Sequence, residues 1–174
     1  LLSLVVIDAT SVDSPPEIGQ LVLPDGSGAV AIAASAERTL VAAYDGHLHT
    51  ADLDDPTAPL VLGSLVREDR FVHVIEVAGT SAVTLEQDLV SEQWLVATHD
   101  LADPAAPTTR GAVPLDASWC TDLVRRGDRA YVGRQDATGA GPDILVVDLA
   151  DPDAPLVAGS LDAPQFGDAD ALAV

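Results

Sequence analysis

The chain has 174 residues, 48% hydrophobic and only 3% aromatic, with 8 basic against 28 acidic residues and a formal net charge of −20. This is the length of one ordinary domain, with material for a core of Val, Leu, Ile and Ala. Its charge repels phosphate backbones and anionic lipid, so neither nucleic-acid binding nor docking on an anionic membrane is expected.

Lys, Asn and Met are absent, all eight basic residues are Arg, and Cys120 is the single cysteine, so no internal disulfide can form. GC-rich bacterial codon usage or a high-salt habitat gives such a bias. The missing Met carries the expectation that the chain starts after its native initiation site.

Taken in order, the opening LLSLVVI is apolar for seven residues, far short of a membrane span and without a basic flank, and reads as a strand. Residues 1–28 hold LLSLVVID and IGQLVL, equivalent to the last two strands of a four-stranded unit. Residues 29–66 hold AVAIAAS, RTLVAA, the tight turn YDGH, LHTADL and LVLGSL. Residues 67–115 hold FVHVIEVAG, SAVTLE, a loop QDLVSEQ, WLVATHDL and TTRGAVPL. Residues 116–162 hold CTDLVR, AYVGR, a loop QDATGAGPD, ILVVDL and LVAGSL, and residues 163–174 end in DADALAV, the first strand of a further unit. Pro or Gly interrupts the apolar runs every 8 to 12 residues or so, which prevents a helical period. The fold class is all-β.

A fixed spacing orders these strands. Asp8, Pro15, Gly19; Asp52, Pro59, Gly63; Asp100, Pro107, Gly111; and Asp148, Pro155, Gly159 keep the same offsets, and the motif Asp recurs after 44, 48 and 48 residues. Periods of this size mean propeller blades or solenoid units. Each Asp can cap backbone N–H groups two or three residues on. Pro56 and its equivalents fix φ in the turn, and Pro59 and its equivalents stand where a strand begins and need no donor. A Gly inside the last strand marks a bulge or a close backbone approach. Every member of the motif has a structural task.

The segments LVVIDATSVDSPP, HTADLDDPTAP and ILVVDLADPDAP resemble the LVIVD repeat of bacterial extracytoplasmic β-propellers, over essentially the whole chain. The first copy departs in carrying Ser11 and Val12 where the others have Asp and Pro, and the third in carrying Thr98 and His99. The resemblance implies radially arranged four-stranded antiparallel blades and an extracellular or cell-envelope location. It implies no reaction. A propeller of six to eight such blades needs roughly 280–380 residues, so the chain is expected to be an incomplete arc of a larger propeller, with open strand edges at both ends and a tendency to self-associate.

Length varies between the second and third strands of a unit. From the first hairpin turn at Ala36, Gly79 or Gly127 to the next motif Asp are 16, 21 and 21 residues. Those connections and the blade-to-blade links emerge on one face of a propeller, and repeat proteins concentrate binding where loops vary. The candidate binding face is therefore Glu86, Gln87, Asp88, Glu92 and Gln93 with Gln135, Asp136 and Asp143, flanked by Arg67, Glu68, Asp69, Arg70, Asp116, Asp162 and Asp168. The expected partner is a protein or a glycan. No cofactor is expected. Ca²⁺ is the ion such groups suit, but no segment carries the alternate-residue oxygen spacing of a calcium loop.

His47 and His49, two apart, flank the Asp45-Gly46 turn, His73 opens an innermost strand, and His99 adjoins Asp100 on the opposite strand face. There is no GxSxG elbow, HExxH, phosphate-cradling loop or CxxC, and Ser118, Cys120 and Asp122 have no His nearby in sequence. The expectation is a non-catalytic scaffold or binding module of a secreted or cell-surface bacterial protein. The alternative is a propeller enzyme, or a metal-dependent hydrolase or lyase, using acidic loop residues around the central channel.

Overall fold

The computed structural model describes residues 3–10, 13–24, 28–35, 39–43, 46–135 and 143–162. Ala36, Asp45, Asp136, Asp168 and the strand expected at DADALAV lie outside them.

The described residues are all strand and turn. An N-terminal pair, β1 (Ser3–Ile7) and β2 (Glu17–Val22), is followed by three four-stranded sheets, each antiparallel in chain order. The first blade is β3 (Ala29–Ala34), β4 (Thr39–Ala43), β5 (Leu48–Asp52) and β6 (Leu60–Leu65). The second is β7 (Arg70–Ala78), β8 (Ser81–Asp88), β9 (Trp94–Asp100) and β10 (Thr108–Pro114). The third is β11 (Trp119–Arg126), β12 (Arg129–Gln135), β13 (Ile144–Asp148) and β14 (Leu156–Leu161). These are propeller-like blades, with β5, β9 and β13 the third strand of each.

Three apolar seams hold the blades together. Leu21 and Leu23 of the N-terminal pair pack with Val41 and Ala51 of the first blade. Leu40 and Leu48 meet Val72, Ile75, Ala82 and Leu101 across the next seam. Val83, Leu85, Trp94 and Val96 meet Cys120, Leu123, Ala130, Val132, Leu145 and Val147 across the last. Because each fully buried Leu or Val contributes roughly 1.5–3 kcal/mol, the seams and not the isolated sheets carry the stability.

Every motif glycine lies beside a bulge. The register of the last two strands skips one residue ahead of it, at Ile18, Leu62, Arg110 and Ala158, so that Val6, Thr50, Thr98 and Val146 pair with Gly19, Gly63, Gly111 and Gly159. The extra residue bends the outer strand.

Candidate functional site

The Asp-Pro turns form the clasp between blades. Asp52, Asp100 and Asp148 each accept, through Oδ1, the N–H of the residue two further on at 2.8–2.9 Å, as Asp8 does from Thr10. Asp55, Asp103 and Asp151 accept likewise at 3.0 Å, and their carbonyls close turns onto Ala58, Ala106 and Ala154 at 3.0–3.1 Å. The finished turn then fills the notch over the preceding blade's glycine. A Cβ on Gly111 would lie 2.7 Å from the Pro152 carbonyl and 2.7 Å from Pro155 Cδ, one on Gly63 would meet the Pro104 and Ala105 carbonyls, and one on Gly19 the Pro56 carbonyl. Thr50 and Thr98 donate across the same seams to the carbonyls of Pro104 and Pro152. This second duty of the glycine crosses from one repeat to the next.

The face bearing the β8–β9 connection and the blade links holds an aromatic patch beside the polar residues expected there. Phe71 and His73 stand at the start of β7, Trp94 at the start of β9 and Trp119 at the start of β11. The ring centroids are 4.6 Å apart for Phe71 and His73, 4.4 Å for His73 and Trp94, and 5.3 Å for Trp94 and Trp119. His73 is the residue skipped in the register between Val72 and Val74, and a bulge of this kind re-aims a side chain. Burial pushes its imidazole below the ordinary value, which keeps it neutral near neutral pH. Trp94 is fully buried, whereas Trp119 is 49% exposed.

Two of the expected site residues flank these rings. Gln87 pairs with Phe71 on one side and with Trp94 on the other, and Gln135 pairs with Trp119. Asp143 is held beside them, its carbonyl accepting the Arg134 N–H at 2.8 Å. The signal available in the sequence was position: all three aromatic residues open a strand directly after a link or a long connection.

The carboxylates of this face divide by role. Asp88 closes the β8–β9 turn, accepting the N–H groups of Ser91 at 2.8 Å and Val90 at 2.9 Å and pairing with Arg70. Chiefly the Ser91 bond draws its carboxyl down to about 2. Glu92 has φ 59, a left-handed conformation that costs a residue with a side chain about 1–2 kcal/mol.

Glu86 departs from expectation. β8 runs on through Asp88, two residues past the expected strand end, so Glu86 is fully buried at the seam with the first blade instead of lying on the binding face. Arg67 Nη2 lies 2.5 Å from its Oε1. The Thr109 hydroxyl bonds His99 Nδ1 at 3.2 Å, His99 Nε2 bonds Thr84 Oγ1 at 2.8 Å, and the Thr84 hydroxyl donates to Glu86. Burial raises the Glu86 carboxyl, but His99 and Arg67 outweigh it and leave the group ionised below its ordinary value. Burial lowers His99 despite Glu86. A neutral His99 with its proton on Nε2 satisfies every bond in this chain. Here His99 and Glu86 Oε1 are engaged within the seam, while Glu86 Oε2 is buried with no hydrogen-bond partner and Arg70 Nε lies 4.0 Å from it.

A cleft of about 420 Å³ opens on the opposite face, between the turns of the second and third blades, lined by Ser81, Asp100, Arg110, Arg125, Asp128 and Pro152 among others. Its cations are engaged: Arg110 pairs with Asp153 at 2.6 Å, and Arg125 donates to Ser81 Oγ at 2.8 Å. Burial pushes the Cys120 thiol up to about 12, so it is no nucleophile at neutral pH. His49 is buried, its Nδ1 2.8 Å from Ser64 Oγ, with its ring centroid 6.2 Å from that of His47. Among the described residues no three His, Cys, Asp or Glu side chains gather into a group able to hold a metal ion, and no helix is long and apolar enough to cross a membrane.

No protein-family model matches the chain, and no curated protein does. The resemblance to the LVIVD repeat rests on the residues that carry it.

Proposed function

We propose that the protein is a non-catalytic binding module of a secreted or cell-surface bacterial protein, and that it recognises a glycan through the face bearing the β8–β9 connection. The observation that carries this reading is the patch of Phe71, Trp94 and Trp119 about His73, flanked in register by Gln87 and Gln135. In a chain with only six aromatic residues, three of them gather at one spot, and half of the Trp119 surface faces solvent. An exposed indole on a rigid strand offers a large apolar platform at low entropic cost. A pyranose presents one apolar C–H face to such a platform and a rim of hydroxyls, each donor and acceptor, to neighbouring amides. Gln87 and Gln135 supply both kinds of partner. Binding is reversible and no proton moves.

The only two tryptophans in the chain are Trp94 and Trp119, so selectively excited tryptophan fluorescence reports on this patch alone. Titration with soluble N-acetylglucosamine oligomers is expected to give a saturable change that Trp119→Ala abolishes while the melting temperature holds. Unchanged fluorescence at millimolar sugar, or hydrolysis of the oligomers, overturns the reading.

A further inference from the structure

The same position tells two stories at the two ends of the chain. Leu21, Leu65, Val113 and Leu161 each stand two residues after a motif glycine. Leu21 is 2% exposed beneath the first blade, and Leu65 and Val113 pack into the seams that follow them. Leu161 is 55% exposed. Gly19, Gly63 and Gly111 seat a turn of the next blade, whereas no atom of the described residues lies within 4 Å of a Cβ built on Gly159. All six residues of β14 are exposed. Among the described residues, then, the third blade presents an unfilled copy of the notch that is filled three times elsewhere.

The N-terminal pair presents the other half of that interface. Ile7 corresponds in register to Ala51 and Val147, both buried against the preceding unit, yet Ile7 is 53% exposed, with Val5 and Val22 exposed beside it. The turn that follows keeps the first cap of the others, with Asp8 accepting from the Thr10 N–H and its own N–H donating to the Pro16 carbonyl at 2.9 Å. Pro15 occupies the position of Pro59 and Pro155, whose ring carbons lie 3.1 Å and 2.7 Å from the Cβ positions over Gly19 and Gly111.

We propose that two copies of this chain associate head to tail. The Val5, Ile7 and Val22 face of one copy covers Val146 and Leu161 of the other, and Pro15 enters the notch over Gly159. The occupant is a second copy because this chain carries residues of both halves of the interface, exposed at the positions that its own seams bury. Such contacts are heterologous: each copy keeps one free end, so association continues beyond two.

The test is light scattering on size-exclusion fractions over a range of concentrations, with Ile7→Asp and Leu161→Asp as variants at exposed positions and Gly159→Val as a second block of the notch. Wild type is expected to exceed the monomer mass of 17.9 kDa increasingly with concentration, and each variant alone to run as a folded monomer. Mixing Ile7→Asp with Leu161→Asp leaves one intact head and one intact tail, and is expected to give a dimer of fixed one-to-one composition. A wild type that stays monomeric, association that survives these substitutions, or a mixture that stays monomeric overturns the proposal. An edge-to-edge dimer is recognised by the second of these outcomes, since backbone pairing does not depend on these side chains.

Discussion

Thr98 donates from Oγ1 to the carbonyl of Pro152, 2.5 Å away and 54 residues further along the chain. The same hydroxyl lies 3.1 Å from the Gly111 N–H in its own blade, so one side chain ties a strand, its bulged neighbour and the next blade's turn. Thr98→Val keeps the volume and removes the hydroxyl, leaving part-buried backbone groups short of a partner. The expected cost is about 1–2 kcal/mol, read as a lower denaturant midpoint with an unchanged slope. Val6 holds the equivalent position over a filled notch, so the fold is expected to survive.

Gly111 and Gly159 share a motif position and differ in their surroundings. Gly111→Ala forces a methyl group to 2.7 Å from two backbone carbonyls and a proline ring. Overpacking of this kind costs about 1–3 kcal/mol. Gly159→Ala meets none of the described atoms, and at a dilution that keeps the chain monomeric it is expected to leave the melting temperature within about a degree or two of wild type. Equal losses at the two positions would mean that strand geometry, and not the seated turn, demands glycine.

The buried chain of Glu86, Thr84 and His99 gives stability an acid limb. His99 titrates below its ordinary value when folded, so as pH falls through about 6.5 the unfolded chain takes up a proton first and stability drops. Glu86 is also held below its ordinary value; its contribution is complete above the usual carboxylate range and is lost as pH falls through the folded value. Thermal melts are expected to be level from about pH 7 to 8 and to decline in two windows below pH 6.5. Glu86→Gln strands the Arg67 charge in the seam and is expected to cost about 3–5 kcal/mol. It also reduces the lower window to what Asp88 and the other depressed carboxylates contribute. Loss of stability above pH 7 instead would contradict this protonation.

The turn motif was legible because Asp caps and Pro turns are local chemistry, written in consecutive residues. What the Gly does for the neighbouring blade was not, since Gly63 and Pro104 meet across 40 intervening positions. Glu86 was misplaced for a related reason. Glu86 read as the end of a strand and Gln87 and Asp88 as the polar loop after it, yet β7 pairs with all three and β9 with the first two, and the cation that compensates Glu86 comes from the link before β7. The aromatic patch escaped because Phe71, Trp94 and Trp119 belong to three different strands, and only stacking of the blades gathers them.

Asp148 tests whether the motif carboxylates serve the fold alone. Its Oδ1 accepts the Ala150 N–H at 2.8 Å, and Asp148→Ala removes that cap at an expected cost of about 1 kcal/mol. Sugar-dependent fluorescence should be unaffected, because the turn lies on the face opposite Trp119. A variant with full thermal stability and no sugar response would give the motif a role in recognition.

Glu92 offers a separation of stability from binding at a single position. Its φ of 59 is a conformation that glycine adopts without steric cost, while its carbonyl accepts from Gln87 Nε2 at 3.4 Å, beside the aromatic patch. Glu92→Gly preserves that carbonyl and relieves the strain, at the expense of a more flexible unfolded chain. The net expectation is a gain of up to about 1 kcal/mol, or a rise of about 2–4 °C in melting temperature. Strain kept at a recognition surface is repaid by what the side chain contacts. If the Glu92 carboxylate accepts a sugar hydroxyl, the stabilised variant binds N-acetylglucosamine oligomers more weakly than wild type; unchanged affinity would limit recognition to the rings and the two amides. A fall in melting temperature would show instead that the glutamate side chain secures the turn.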